Sequence, residues 1–216
     1  MRTEKLIDIL ARENNPVKPL KHPLIRFSIW LLLSASLIVF IFPVIEHFFG
    51  HGFTLTRDLT GVLILLLSAL VLGFLAFVMN SPVILSPAVK IVVGGIFFIW
   101  ILRTFLKLFY MDESFMDHMQ AMYSGSPHTG CMTNTYLFFT IPFFILIIML
   151  RSGYTLEKTW AGFYAATASL SVAELLTTAM CPQTDPVHTL AWHILPVAPI
   201  PVVIWLLSEK LLKRRG

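Results

Sequence analysis

Six apolar windows govern what this chain can become; they lie near residues 26–48, 59–80, 87–109, 133–151, 159–180 and 188–208. Each is long enough to cross a hydrocarbon core of ~30 Å, which takes roughly 20 helical residues. None shows the period-2 alternation of an outer-membrane strand. Inside a bilayer every backbone N–H and C=O needs an internal partner, so helices are the remaining solution. The windows therefore predict an all-α integral membrane protein built as a six-helix transmembrane bundle. Composition agrees: 56% of residues are hydrophobic, 13% are charged and mean hydropathy is +0.78, far from a soluble balance. Small residues Ser34 and Ala35 fall in the middle of the first window rather than at a cleavage boundary, so it reads as a retained span and not a signal peptide. Pro82, Pro87, Pro182 and Pro186 fall in loops or at helix starts. Pro43, Pro142, Pro196, Pro199 and Pro201 fall inside spans, which they kink unless neighbours absorb them.

Lysine and arginine set the orientation, because cytoplasmic flanks retain them. Arg2, Lys5, Arg12, Lys18, Lys21 and Arg26 crowd the start, and Lys210, Lys213, Arg214 and Arg215 crowd the end. Both termini are expected inside, dividing the chain into an arm (1–25), a bundle (26–208) and a basic tail (209–216). Arg151 and Lys158 in the fourth connection agree, as does Lys90 at the inner end of span three. Arg57, Arg103 and Lys107 run against the pattern, and the last two are expected to snorkel or to pair with Asp112 and Glu113. The net charge of +4 is mostly this topological bias and carries no warrant for nucleic-acid binding.

With that topology the chemistry collects outside. Cys131 and Cys181, the two cysteines of the chain, both sit at mouths of spans, in "PHTGCMTNT" and "TTAMCPQTDPVH". His47, His51, His118, His128, His188 and His193 lie at or near the same surface, with Met111, Met116, Met119, Met122, Met132 and Met180. Thiolate, thioether and imidazole suit soft ions such as Cu(I), and imidazole also suits zinc. The bland alternative for Met116, Met119 and Met122 is one apolar face of a short helix lying on the bilayer.

Spans four and five form a hairpin whose inner turn contains residue 156, the midpoint between 131 and 181. Equal arms return the two thiols to one height, and they face each other if the helices are also rotated correctly. Glu174 precedes Cys181 by seven residues, on roughly the same helical face and about 10 Å below it. An acid at that depth is either a functional group or a structural hydrogen-bonding partner, for example of His193 or a threonine. The pair itself admits a structural disulfide, a metal or redox sensor, or coincidence. The candidate metal-binding set is Cys131 and Cys181, with Met132, His128, Met180, His118 and Glu174 around them. No CxxC, HExxH, GxxxxGK[ST] or GxSxG pattern occurs, which leaves little support for an enzyme.

The arm opens "MRTEKLIDILARENNPVKPLKHP". From Thr3 as N-cap, Leu6, Ile7 and Leu10 share one helical face, opposite charges, and "NNP" ends the run. So short a helix is marginal alone in water and needs a surface, either a protein groove or the inner leaflet. Pro16, Pro19 and Pro23 then hold an extended spacer.

The arm, the cysteine before span four, and "MCPQTDPVHTLAWH" before span six, in that order with six spans, resemble the NrsF-type membrane anti-sigma factors. The resemblance covers essentially the whole chain. It implies a protein of the bacterial inner membrane, not an enzyme, that holds an extracytoplasmic-function sigma factor at the cytoplasmic face and releases it under metal-related stress. Leu6, Ile7, Leu10, Val17 and Leu20 then become the partner-binding residues, and Cys131 and Cys181 the periplasmic sensing pair, with no permanent cofactor but a regulatory Cu(I) or other soft ion. Gln183 stands where the family pattern leads one to expect an acid soon after the proline, and Asp185 follows later. The small residues Ala161, Gly162, Ala165 and Ala166 would let span five pack closely and shift between two arrangements. The rival reading is a small transporter or ion-handling protein using Glu174; a lipid-surface scaffold is a third.

Overall fold

The computed structural model describes residues 20–49, 58–81, 84–110, 129–153, 155–181, 183 and 185–213, without the side chains of residues 41–49 and 129. Leu6, Ile7, Leu10 and Val17 of the arm, and His118, His128, Asp112 and Glu113, lie outside the described residues. Leu20 is described and is 43% exposed.

Local chemistry marks where each helix begins. Helix α1 (Pro23–Phe49) starts on a proline, whose missing N–H costs nothing in a first turn, and the Nδ1 of His22 accepts from the Leu24 N–H. Helix α2 (Leu59–Val78) is capped by Asp58, which accepts from the Gly61 N–H at 3.1 Å. Ser86 caps α3 (Pro87–Gly94), which passes through Gly95 into α4 (Ile96–Leu108). The expected third span, 87–109, is thus two helices bent by 42°. Helix α5 (Thr129–Arg151) runs through Pro142, and α6 (Lys158–Met180) follows. The expected sixth span, 188–208, is likewise not one α-helix. A turn, Pro186–His188, leads into a π-helical segment, Thr189–Ile194, and then into α7 (Pro199–Leu211).

Helix α6 is the axis of the bundle, packed on α2, α5 and α7, while α1 lies against α2 and α5. Its composition explains the position. Ala161, Gly162, Ala165, Ala166, Thr167, Ala168, Ser169, Ser171 and Ala173 are all buried. Between apolar lipid and apolar side chains there is no hydrophobic gain, so close backbone approach and hydroxyl hydrogen bonds carry the packing. A Cβ on Gly162 would stand 1.8 Å from the Ser208 Oγ of α7, so no larger residue fits that crossing as it stands. The outer surface is the reverse of a soluble protein's: Leu32, Val39 and Phe40 on α1, Leu59 on α2 and Ile148 on α5 are each more than half exposed.

Among the described residues, four segments can cross a membrane by length and composition: Pro23–Phe40, Leu59–Val78, Gly130–Arg151 and Pro186–Leu211, with the bent pair Pro87–Leu108 a fifth if taken as one span. Helix α6 has the length, at 23 residues, but its small and hydroxyl side chains keep it out of that set.

Polar side chains tie the two ends. At one, Arg26 is buried and donates to Asn80 Oδ1 at 2.5 Å, to the Met149 carbonyl and to Ser152 Oγ. Asn80 in turn donates to the Leu150 carbonyl and to Thr155 Oγ1. Lys90 pairs with Glu157 at 2.5 Å near the same turn, and Arg151 Nε donates to the Leu211 carbonyl. At the other end, Arg103 and Lys107 both find Asp58, at 2.5 and 3.0 Å; the expected pairing with Asp112 and Glu113 lies outside the described residues. Partial burial works against ionisation of Asp58, yet the hydrogen bonds from Arg103, Lys107 and the Gly61 N–H outweigh it and hold the carboxyl below the usual carboxylate range.

Candidate functional site

The α5–α6 hairpin brings its two thiols together. Cys131 lies in the first turn of α5 and Cys181 caps the end of α6; their sulfurs are 3.4 Å apart, and both are free thiols. One turn deeper, Thr135 Oγ1 donates to Thr177 Oγ1 at 3.1 Å. Residues 135 and 177 share the midpoint 156 with 131 and 181, so the helices run in step and are rotated to face each other at both levels. Thr177 also holds the end of α6, its carbonyl accepting from the Cys181 N–H at 2.9 Å.

The strand of chain after α6 returns over the thiols. Asp185 caps the next turn, accepting from the Val187 N–H at 3.2 Å, and Pro186 occupies its first position. His188 follows directly, buried, with Nε2 3.3 Å from Cys181 Sγ. Five residues on, His193 turns to the same place. In an α-helix five residues advance about 140° beyond a full turn and would point the two rings apart. The π-helical segment bonds i to i+5, as in Leu195 N–H to Leu190 C=O at 2.9 Å, and so returns residue 193 beneath residue 188. The two imidazoles stand 5.5 Å apart at 63°.

Glu174 is fully buried, and its Oε2 lies 3.1 Å from His193 Nδ1. The structure therefore places it as the histidine's partner. One ligand atom from each of Cys131, Cys181, His188 and His193 lies within 4.8 Å of every other. Cys131 is partly exposed and the other three are buried, so the group opens at one side. His193 also lines a cavity of about 50 Å³ together with Asp58, Thr104, Lys107, Thr178 and Thr189.

Among the residues expected from sequence, the structure thus unites Cys131 with Cys181 and sets Glu174 behind His193. Met180 is buried with Ile38, Phe138 and Ala173 in an apolar cluster, which accounts for it as packing, and Met132 is half-buried beside Cys131 in sequence. His188 and His193 were legible as histidines near this surface, but not as neighbours of the thiols. Their i, i+5 spacing is silent under α-helical periodicity.

Two close thiols can be oxidised together to a disulfide, or can lose their protons to a soft metal ion. No curated protein and no solved structure matches the chain. A family model described as negative regulator of sigma F matches residues 10–213. A match of that extent, arm to last helix, places this chain in the NrsF family, whose members are negative regulators of a sigma factor.

Proposed function

We propose that this protein is a membrane anti-sigma factor that senses thiol-directed stress outside the cell and controls an extracytoplasmic-function sigma factor inside it. The single observation that carries the sensing half is the pair of free sulfurs 3.4 Å apart at the meeting of two helix ends. A soft metal ion or a thiol-reactive oxidant joins the two helix ends on binding or reaction. Either event acts only through its different affinity for the two arrangements of α5 and α6.

The rest of the reading is topological. The bundle crosses the inner membrane six times, counting α3 with α4 as one span and including α6, with both termini cytoplasmic. The end holding Arg26, Lys90 and Arg151 then faces the cytoplasm, which accords with the retention of cations on that side. The arm presents Leu6, Ile7, Leu10, Val17 and Leu20 to the sigma factor. Arg26 stands at its root and grips the far end of α5, the helix that carries Cys131 at its other end. One rigid element thereby spans the distance from thiol to arm.

The test is a pull-down from native membranes with the intact chain and with residues 1–19 deleted, soluble partners being identified by mass spectrometry. The intact chain should retain a sigma factor and the shortened one should not. Cys131→Ser and Cys181→Ser should retain it equally well and fail to release it when metal is added. Retention by the shortened chain would remove the arm from the contact, and normal release from both serine variants would remove the thiols from the sensor.

A further inference from the structure

A bare pair of thiolates and a four-ligand centre hold different ions, and the surroundings of Cys131 and Cys181 distinguish them. Around a tetrahedral ion, with metal–sulfur bonds near 2.3 Å and metal–nitrogen bonds near 2.0–2.1 Å, neighbouring ligand atoms stand roughly 3.3–3.8 Å apart. The two sulfurs here are 3.4 Å apart, and Cys181 Sγ is 3.3 Å from His188 Nε2. The whole set lies within 4.8 Å, so a modest contraction closes it. A two-coordinate, linear ion would instead hold the sulfurs about two bond lengths apart, about 4.6 Å on the same bond length. That requires the thiols to separate, against the Thr135–Thr177 hydrogen bond below them.

His193 points the same way. Its Nδ1 faces the Glu174 carboxylate, while its Nε2 makes no hydrogen bond among the described residues although the side chain is 1% exposed. A carboxylate on one ring nitrogen and an open site on the other is the arrangement that orients metal-binding histidines. The π-helical segment that stacks His193 under His188 completes the group of four. Charge selects among ions as well. Each cysteine gives up its proton to solvent on binding, so two thiolates neutralise a divalent ion in full, whereas a monovalent ion leaves one uncompensated negative charge in a mostly buried site.

Resting on the sensor reading above, we propose that Cys131, Cys181, His188 and His193 form one N2S2 site for a four-coordinate divalent ion of the zinc type. Glu174 is the outer carboxylate that positions His193, and not a ligand. The site thereby discriminates against copper(I), which gains nothing from the two imidazoles in a linear dithiolate.

The experiment uses the full-length, reduced, metal-free protein in detergent. Co²⁺ serves as the spectroscopic probe, and Zn²⁺ and Cu⁺ are each titrated against a chromophoric chelator. One Co²⁺ per chain should bind with thiolate-to-metal charge transfer and the intense visible bands of a tetrahedral centre, and Zn²⁺ should displace it. His188→Ala and His193→Ala should each weaken Zn²⁺ by ~100-fold or more and leave Cu⁺ within a few-fold of wild type. Glu174→Gln should weaken Zn²⁺ by ~10–100-fold while keeping the charge-transfer band, and its helical circular dichroism should match wild type. Zn²⁺ affinity unchanged in both histidine variants, or an octahedral Co²⁺ spectrum without thiolate bands, would overturn the four-ligand site. Cu⁺ binding that needs the cysteines, with no Zn²⁺ binding, would overturn the divalent assignment and leave the thiol sensor standing. No thiol-dependent binding of any of the three ions would sink the site, and normal metal-induced release of the sigma factor from the serine variants would sink the sensor reading separately.

Discussion

Asp58 shows how much one residue can hold at the mouth of the bundle. Its Oδ1 accepts from the Gly61 N–H and from Arg103 Nη2, and its Oδ2 accepts from Arg103 Nη1 and Lys107 Nζ. One carboxylate thus caps α2 and draws α4 to it. Because the folded carboxyl titrates below its unfolded range, its stabilisation is present in full above about pH 4 and is lost as pH falls through the depressed folded value. Asp58→Asn should therefore lower the unfolding midpoint in detergent near neutral pH, with the gap to wild type narrowing in acid. High salt should narrow it too, since the group is about one third exposed. A gap that stayed constant from neutral to strongly acidic pH would show that the charge contributes nothing and that only the cap matters.

Among the elements, α5 and α6 carry the most consequence. Helix α5 has a thiol at one end and, at the other, the Met149 and Leu150 carbonyls that Arg26 and Asn80 hold. Those carbonyls, which also accept from Ser152 Oγ and the Gly153 N–H, carry the negative end of the helix dipole, so a buried guanidinium is well placed there. Asn80 is fully buried and fills the space a side chain at Gly153 would occupy. Asn80→Ala should cost about 1–3 kcal/mol by leaving Arg26 without its amide oxygen, read as a lower unfolding midpoint. It should also weaken retention of the sigma factor without changing metal binding, because the thiol site lies at the opposite end. An Asn80→Ala protein as stable as wild type would mean that Arg26 finds water instead and that this end is loose. The pairing of 131 with 181 was legible in sequence, since equal arms around residue 156 fix the height of both thiols. Their rotation was not, because it depends on how α6 seats against α2 and α7.

For the whole molecule the number of crossings fixes which side each loop faces. Helix α6 is long enough to span but, being rich in Ala, Ser and Thr, is less apolar than the four segments that qualify by length and composition, and α3 with α4 is bent at Gly95. Six crossings put the α5–α6 turn on the side of the termini and the 111–128 segment on the opposite side. Reporter fusions after residue 154 and after residue 213 should therefore report the cytoplasm, and a fusion at residue 120 the outside. Fusions at 120 and 154 reporting the same side would mean that α5 does not cross, and the chain would need a different topology.

What the sequence determined alone is the class of the protein: helices forced by apolar length, two thiols at one height, and membership legible in the arm and in "MCPQTDPVHTLAWH". These follow from local rules, hydropathy and backbone hydrogen bonding, which act within one segment. The tertiary structure decided which groups meet. Asp58 took Arg103 and Lys107 from across the bundle, and Glu174 took His193. A single π-helical turn moved His193 under His188 and over the cysteines. Helical periodicity assumes 3.6 residues per turn, and one extra residue in a turn rotates everything after it. Such a change is set by what the segment packs against, and the segment's own letters do not carry it.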